Sequence, residues 1–148
     1  MKPRAVFFDG LLFLLWTFLC FIYLGIFGFN ILLCGLGVIF GLVLGISVAL
    51  KQISSLEKNG EFKVTLKTGA LMLLTIIIAI PIAIYLIFSY GLGVGIPMLS
   101  FLYPYLSAFY AARIILYLNW ERKNQKIILS DLTRVYAAPR NFEKSLSG

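Results

Sequence analysis

The longest apolar run of the chain extends almost without interruption from Gly10 to Leu50. At 1.5 Å per residue, a single helix over this run would be about 60 Å long, twice the roughly 30 Å of a bilayer's hydrocarbon core. The run must therefore fold back on itself. Gly25, Gly28 and Asn30 weaken a helix and tolerate turn geometry. We predict two membrane spans, near residues 10–29 and 31–50, joined as an antiparallel hairpin.

A second apolar block runs from Thr68 to Leu118, after a polar stretch at 51–67 that predicts a loop. Three glycines and a proline fall within residues 89–97, and such a cluster breaks a helix. This gives two further spans, near 68–90 and 96–118. The predicted fold is an all-α integral membrane protein: a single transmembrane domain over 1–148, with four transmembrane helices arranged as two antiparallel hairpins.

The composition agrees with a membrane protein and offers little for catalysis. Hydrophobic residues make up 61% of the chain and charged residues 13%, with a mean hydropathy of +0.96, whereas soluble domains are about 45–50% apolar and about 25% charged. Histidine is absent, which removes the commonest general base and a frequent metal ligand. Phosphate-binding, nucleophile-elbow and zinc-protease motifs are absent too. We expect a protein that is not an enzyme, with no catalytic residues, no cofactor and no metal site.

The basic residues fix an expected orientation. All thirteen lysines and arginines lie in the N-terminal tail, the middle loop, the end of the fourth span or the C-terminal tail. The predicted loops on the opposite side carry no charge. The positive-inside rule then places both termini in the cytoplasm, with the plasma (inner) membrane as the expected location. Attraction to anionic inner headgroups accounts for the net charge of +7, so nucleic acid is not an expected partner.

The tail at 119–148 is predicted to be amphipathic. Ile128, Leu132, Val135 and Tyr136 recur at roughly helical spacing, which predicts a short helix ending before Pro139. This helix is expected either to rest on the lipid headgroups or to dock a partner. The residues expected to contact the membrane surface are Trp120, Lys126 and Arg134.

Two ionisable residues fall within the predicted spans. Asp9 lies at the edge of the first span and Arg113 lies inside the end of the fourth, so we predict an intramembrane ion pair between them. The pair would either hold the two spans together or form a gate or anion site. The remaining polar residues within the spans are too sparse to predict an aqueous path through one subunit.

Small residues mark two helix faces. Gly37, Gly41 and Gly45 form two overlapping GxxxG motifs, a glycine-zipper pattern that lets a partner helix approach closely. The fourth span carries a looser set at Ser107, Ala108, Ala111 and Ala112. These faces are expected either to pack on each other or to form an interface with another subunit or a second copy.

The functional expectation follows from these features. We expect a non-catalytic accessory, assembly or scaffolding subunit of a membrane complex, with the lipid bilayer and other membrane subunits, or the chain itself, as partners. The alternative is a channel or small-solute transporter formed by a homo-oligomer. A lipid-modifying enzyme ranks third, because Asp9 and a few hydroxyl groups are the only candidate reactive groups.

Overall fold

The computed structural model describes residues 4–28, 30–63, 92–131 and 134–139. It is mostly helical, with α1 at Ala5–Phe27, α2 at Ile31–Asn59 and α3 at Leu92–Asn124. Within these residues, three helices are long and apolar enough to cross a membrane. They correspond to the first, second and fourth predicted spans. The predicted third span, 68–90, lies outside the described residues.

The break between α1 and α2 falls at the predicted turn. Gly28 has φ +85°, a left-handed conformation that favours glycine, and its N–H donates to the carbonyl of Leu24 at 3.0 Å. Asn30 then caps α2, because its Oδ1 accepts the N–H of Leu33 at 3.2 Å. The helix ends on both sides of this turn are thus hydrogen-bonded.

The second helix is longer than the sequence predicts. Residues 51–59 belong to α2 rather than to a polar loop, and the helix ends at Gly60, whose φ is +69°. Ala49, Gln52 and Leu56 are all buried and share one helix face, at spacings of three and four residues. The prediction was wrong here because one buried face continues through a stretch whose other side chains are polar.

The third helix, α3, is the element against which the other two helices pack. Both α1 and α2 pack along α3 and scarcely touch each other. The glycine face of α2 follows α3 in the same direction, whereas α1 follows it in the opposite direction, with Thr17 beside Ser107 and Tyr23 beside Ser100. We call the end that carries the Gly28–Asn30 turn the turn end.

A three-stranded antiparallel sheet packs at the other end, which we call the sheet end. Its strands are β1 at Glu61–Lys63, β2 at Lys126–Asp131 and β3 at Arg134–Pro139, in the order β1-β3-β2. The predicted amphipathic tail helix is therefore wrong: the tail first completes α3 and then forms a hairpin. Three consecutive buried apolar residues, Ile127–Leu129, fit a strand with two covered faces better than a helix with one apolar face.

A cluster of buried side chains joins the helices to the sheet. Its larger members are Leu56 of α2, Tyr117 and Trp120 of α3, Ile128 of β2 and Val135 of β3. Because β1 follows α2 at the sheet end and α3 begins at the turn end, Lys63 and Leu92 lie at opposite ends of the helices.

Candidate functional site: a polar seam between two helices

The glycine face of α2 lies directly against the backbone of α3. A Cβ atom built on Gly37, Gly41 or Gly45 would overlap or press on carbonyl oxygens of α3, those of Phe101, Tyr105 and Phe109 respectively. At Gly41 and Gly45 it would also come within 3.0 Å of the Cβ atoms of Ala108 and Ala112. These glycines therefore serve contact within one chain.

The four small residues of α3 do not share one face. Ala108 and Ala112 are buried against the glycine face. Ser107 contacts α1 instead, where it accepts a hydrogen bond from the Thr17 hydroxyl at 3.3 Å. Ala111 is partly buried and makes neither contact. Of the four small residues of α3, Ala108 and Ala112, which are four residues apart, pack against α2.

The two charged residues of the predicted ion pair are brought together. Arg113 Nε lies 3.3 Å from Asp9 Oδ2, and the side chains are 13% and 7% exposed respectively. Neither of these two atoms makes a hydrogen bond of acceptable geometry with any residue that the structure describes. The opposite charges of Asp9 and Arg113 therefore attract α1 to α3, and the apolar surroundings screen this attraction weakly.

Aromatic rings and one amide surround the arginine. Its guanidinium carbon lies 5.5–5.9 Å from the ring centroids of Phe109, Tyr110 and Tyr117, within the range of cation–π attraction. One terminal nitrogen donates to the Tyr117 hydroxyl at 3.2 Å, and that hydroxyl donates in turn to Gln52 Oε1. The charged pair is thus part of a network that contacts all three helices.

Further polar groups continue along the same side of α3 toward the turn end. Trp16 is buried beside Tyr103 and Tyr110 of α3. Beyond the Thr17–Ser107 pair, Tyr23 packs edge-on against Tyr103 and accepts a hydrogen bond from Ser100 at 3.4 Å. We call this set the polar seam; its members are Asp9, Trp16, Thr17 and Tyr23 of α1 and Ser100, Tyr103, Ser107, Tyr110 and Arg113 of α3.

The sequence does not predict a polar run, because its members are divided between two antiparallel helices. On either helix alone they are isolated among apolar residues. A signal was nevertheless present: Asp9, Trp16 and Tyr23 are seven residues apart, and so are Ser100 and Ser107 on α3. Seven residues are close to two helical turns, so each set lies on one face.

Two more polar contacts tie the helices to the sheet end. The carboxylate of Glu121 binds Arg4 at 2.6 Å and accepts the N–H of Ile128 at 2.8 Å, linking the start of α1 to β2. Trp120 donates its indole N–H to Glu57 of α2 at 3.0 Å. No motif or spacing in the sequence singles out Glu121 or Glu57.

The three residues expected at the membrane surface lie in different surroundings. Trp120 is 8% exposed and lies in the core between α2, α3 and the sheet, so its assignment to the surface was wrong. Its ring fits this position because the indole N–H has a carboxylate partner. Lys126 is exposed at the start of β2. Arg134 begins β3, and its side chain lies outside the described part of the chain.

The comparisons with known proteins add no relative. No protein-family model matches the chain, and neither the curated proteins nor the solved structures give a significant match. In the described residues, no three or more Cys, Asp or Glu side chains are grouped so that they could hold a metal ion.

Proposed function

We propose that this chain is a non-catalytic membrane protein that acts as an accessory, assembly or scaffolding subunit of a membrane complex. The observation that carries the proposal is how its buried and partly buried polar groups are used. Arg4, Gln52, Glu121 and Trp120 each bind another element of the same chain. Polar groups that connect helices and sheet in this way are suited to holding a fixed shape for a partner.

The outer faces of α1 and α2 support the same proposal. Large apolar side chains are exposed along both helices, including Phe18 and Phe21 of α1 and Ile39 and Val43 of α2. These surfaces fit lipid chains or the helices of another membrane protein. The glycine face is already covered by α3, so a partner would contact these bulkier faces instead.

The sheet end is proposed to face the cytoplasm, with the plasma (inner) membrane as the location. Lys51 and Lys58 near the end of α2, and Arg122, Lys123 and Lys126 around the end of α3, are exposed there. The Gly28–Asn30 turn has no charge. The positive-inside rule supports this orientation, and anionic headgroups would attract the basic residues.

A fourth crossing by residues 68–90 is part of the proposal. The stretch is as apolar as the helices that the structure describes. Its flanking described residues, Lys63 and Leu92, lie at opposite ends of the bundle. A transmembrane return between them would give four spans with both termini on the cytoplasmic side.

One observation favours a second candidate, a homo-oligomeric channel or transporter. The polar seam places hydroxyl and charged groups along most of the length of α1. Polar groups inside a membrane protein commonly mark a path for ions or solutes.

The test is the composition of the native assembly. The chain, tagged at its C-terminus, is expressed at its natural level, extracted in mild detergent and weighed by native mass spectrometry. We expect a second kind of subunit in fixed stoichiometry. Phe18→Ala and Val43→Ala each alter one outer face, and loss of the subunit from only one variant would identify the contact. An assembly made of this chain alone would overturn the proposal and favour the channel.

A further inference from the structure

The polar groups of the α1–α3 contact extend through most of the thickness of a bilayer. On α1, Asp9, Trp16 and Tyr23 follow one another at intervals of two turns and together cover about 21 Å. On α3, Ser107 lies between the levels of Arg113 and Ser100. A hydroxyl, indole N–H or charged group therefore recurs every one or two turns from the sheet end to the turn end.

Helix packing alone does not require these groups. The α2–α3 contact is built from Gly37, Gly41, Gly45, Ala108 and Ala112, and it reaches direct backbone contact with small apolar residues. The α1–α3 contact differs in both size and polarity, because bulky aromatic rings and hydroxyl groups lie between the helices. Along the glycine face, α2 thus contacts α3 through small apolar residues, whereas α1 contacts it through a mixture of polar, aromatic and aliphatic side chains.

The sheet-end part of the seam has unused hydrogen-bonding capacity. Trp16 Nε1 is buried without a hydrogen-bond partner among the residues that the structure describes, and Asp9 Oδ2 and Arg113 Nε are buried 3.3 Å apart as an ion pair without hydrogen-bond geometry. Leaving such atoms unsatisfied in an apolar medium costs free energy, and bound water is the usual way to satisfy them. Within a membrane, a carboxylate in this position is typical of a proton relay.

We propose that the polar seam conducts protons across the membrane, with Asp9 as the group that binds and releases them. Protons would pass from the turn end along the Tyr23–Ser100 and Thr17–Ser107 hydroxyl pairs, and bound water would have to bridge the gaps between these pairs and Asp9. Arg113, 3.3 Å away, holds the Asp9 carboxylate at the sheet-end limit of the seam. This proposal does not depend on the proposed accessory function, since one chain contains the whole seam.

The groups that face Asp9 determine how it exchanges a proton. From α3, Arg113 lies 3.3 Å from Asp9, and the rings of Tyr110 and Tyr117 lie beside the Arg113 guanidinium. Arg4, the residue just before α1, is bound by Glu121. From α2, the neutral Gln52 reaches the network only through Tyr117. The single nearby opposing charge is therefore Arg113 within the described residues, and neither Arg4 nor Gln52 competes for the proton.

The test uses the purified full-length chain in liposomes that contain a pH-sensitive dye. A potassium gradient with valinomycin sets a voltage that drives protons inward. We expect proton entry faster than in protein-free liposomes, and Asp9→Asn should slow it by about 100-fold or more, the lower end of what a positioned proton-transferring side chain contributes. Asp9→Glu, which keeps a titratable carboxyl, should restore part of the rate.

Ser47→Ala is the matched control, because this exposed hydroxyl bonds to Val43 of its own helix in the part of the chain that the structure describes. The proton-entry rate of this variant should equal that of the unmodified chain. Thr17→Val, which removes one seam hydroxyl at constant shape, should slow proton entry even if Asp9→Asn fails to fold. The proposal is overturned if the unmodified chain conducts no faster than protein-free liposomes, or if both seam variants match Ser47→Ala. Neither result bears on whether a second subunit co-purifies.

Discussion

Replacing Gly41 with leucine tests the closest helix contact in the protein. A Cβ at this position would overlap the carbonyl oxygen of Tyr105 and approach the Cβ of Ala108 to 3.0 Å. The obstructing atoms are mainly backbone, so rotation of a side chain cannot relieve the overlap and the two helices must move apart. Overpacking a well-packed contact typically costs about 1–3 kcal/mol, and leucine adds four carbon atoms, which places the cost near 3 kcal/mol.

The expected loss converts to a change in melting temperature. For a chain of roughly 150 residues, 1 kcal/mol corresponds to about 2–4 °C. Gly41→Leu should therefore melt about 6–12 °C below the unmodified protein in the same detergent. Tryptophan fluorescence is a suitable measurement, because Trp16 and Trp120 are both buried against α3 or the sheet.

Gly35→Leu is the matched control on the same helix. A Cβ at Gly35 meets nothing within 4 Å, and the residue is exposed. Leucine is a better helix former than glycine by up to about 1 kcal/mol, so this variant should melt at or slightly above the unmodified temperature. Equal melting temperatures for the two variants, with unchanged oligomer size, would refute the close α2–α3 contact.

Three further predictions concern the polar contacts. Asp9→Asn and Arg113→Gln should each lower the melting temperature, and a double-mutant cycle should show a coupling of about 0.5–3 kcal/mol; strict additivity would contradict a direct interaction. Tyr117→Phe should cost about 1–3 kcal/mol in a denaturation experiment, because it leaves the buried Gln52 amide oxygen without its donor. Trp120→Phe should cost about 1 kcal/mol through the bond to Glu57, and combining it with Glu57→Gln should add little; a large additional loss would argue against that bond.

The helices were predictable because long apolar runs and glycine-rich breaks act locally. The Gly28–Asn30 turn is an example, since its backbone conformation and cap are both set by residues at the turn itself. The closeness of Asp9 and Arg113 was also predictable, because two charges at similar depth in an apolar medium attract each other strongly. The GxxxG spacing also drew attention to the glycine face of α2, although it could not say which helix would lie against it.

The sheet end was not predictable because it depends on distant pairings. β1 has only three residues and pairs with β3, about 70 residues later in the chain. No local periodicity signals such a pairing, and spacing in the tail favoured a helix. Trp120 was misplaced for the same reason: a tryptophan at a helix end is typical of the membrane interface, and only the sheet, with Glu57, makes this position part of a core.

The two contacts of α3 differ in what could separate them. The α2 contact depends on backbone proximity, so almost any added atom at Gly41 opposes it, whatever the charge state of the protein. The α1 contact combines aromatic and aliphatic packing with directional bonds and two ion pairs, and protonation or a change of partner at Asp9 would weaken it without any steric change. Loss of the Asp9–Arg113 pair should therefore loosen the contact of α1 with α3 and leave the close α2–α3 contact unchanged. Cross-linking a cysteine at Leu12 to one at Leu106 should then depend on the residue at position 9, whereas cross-linking between α2 and α3 should not.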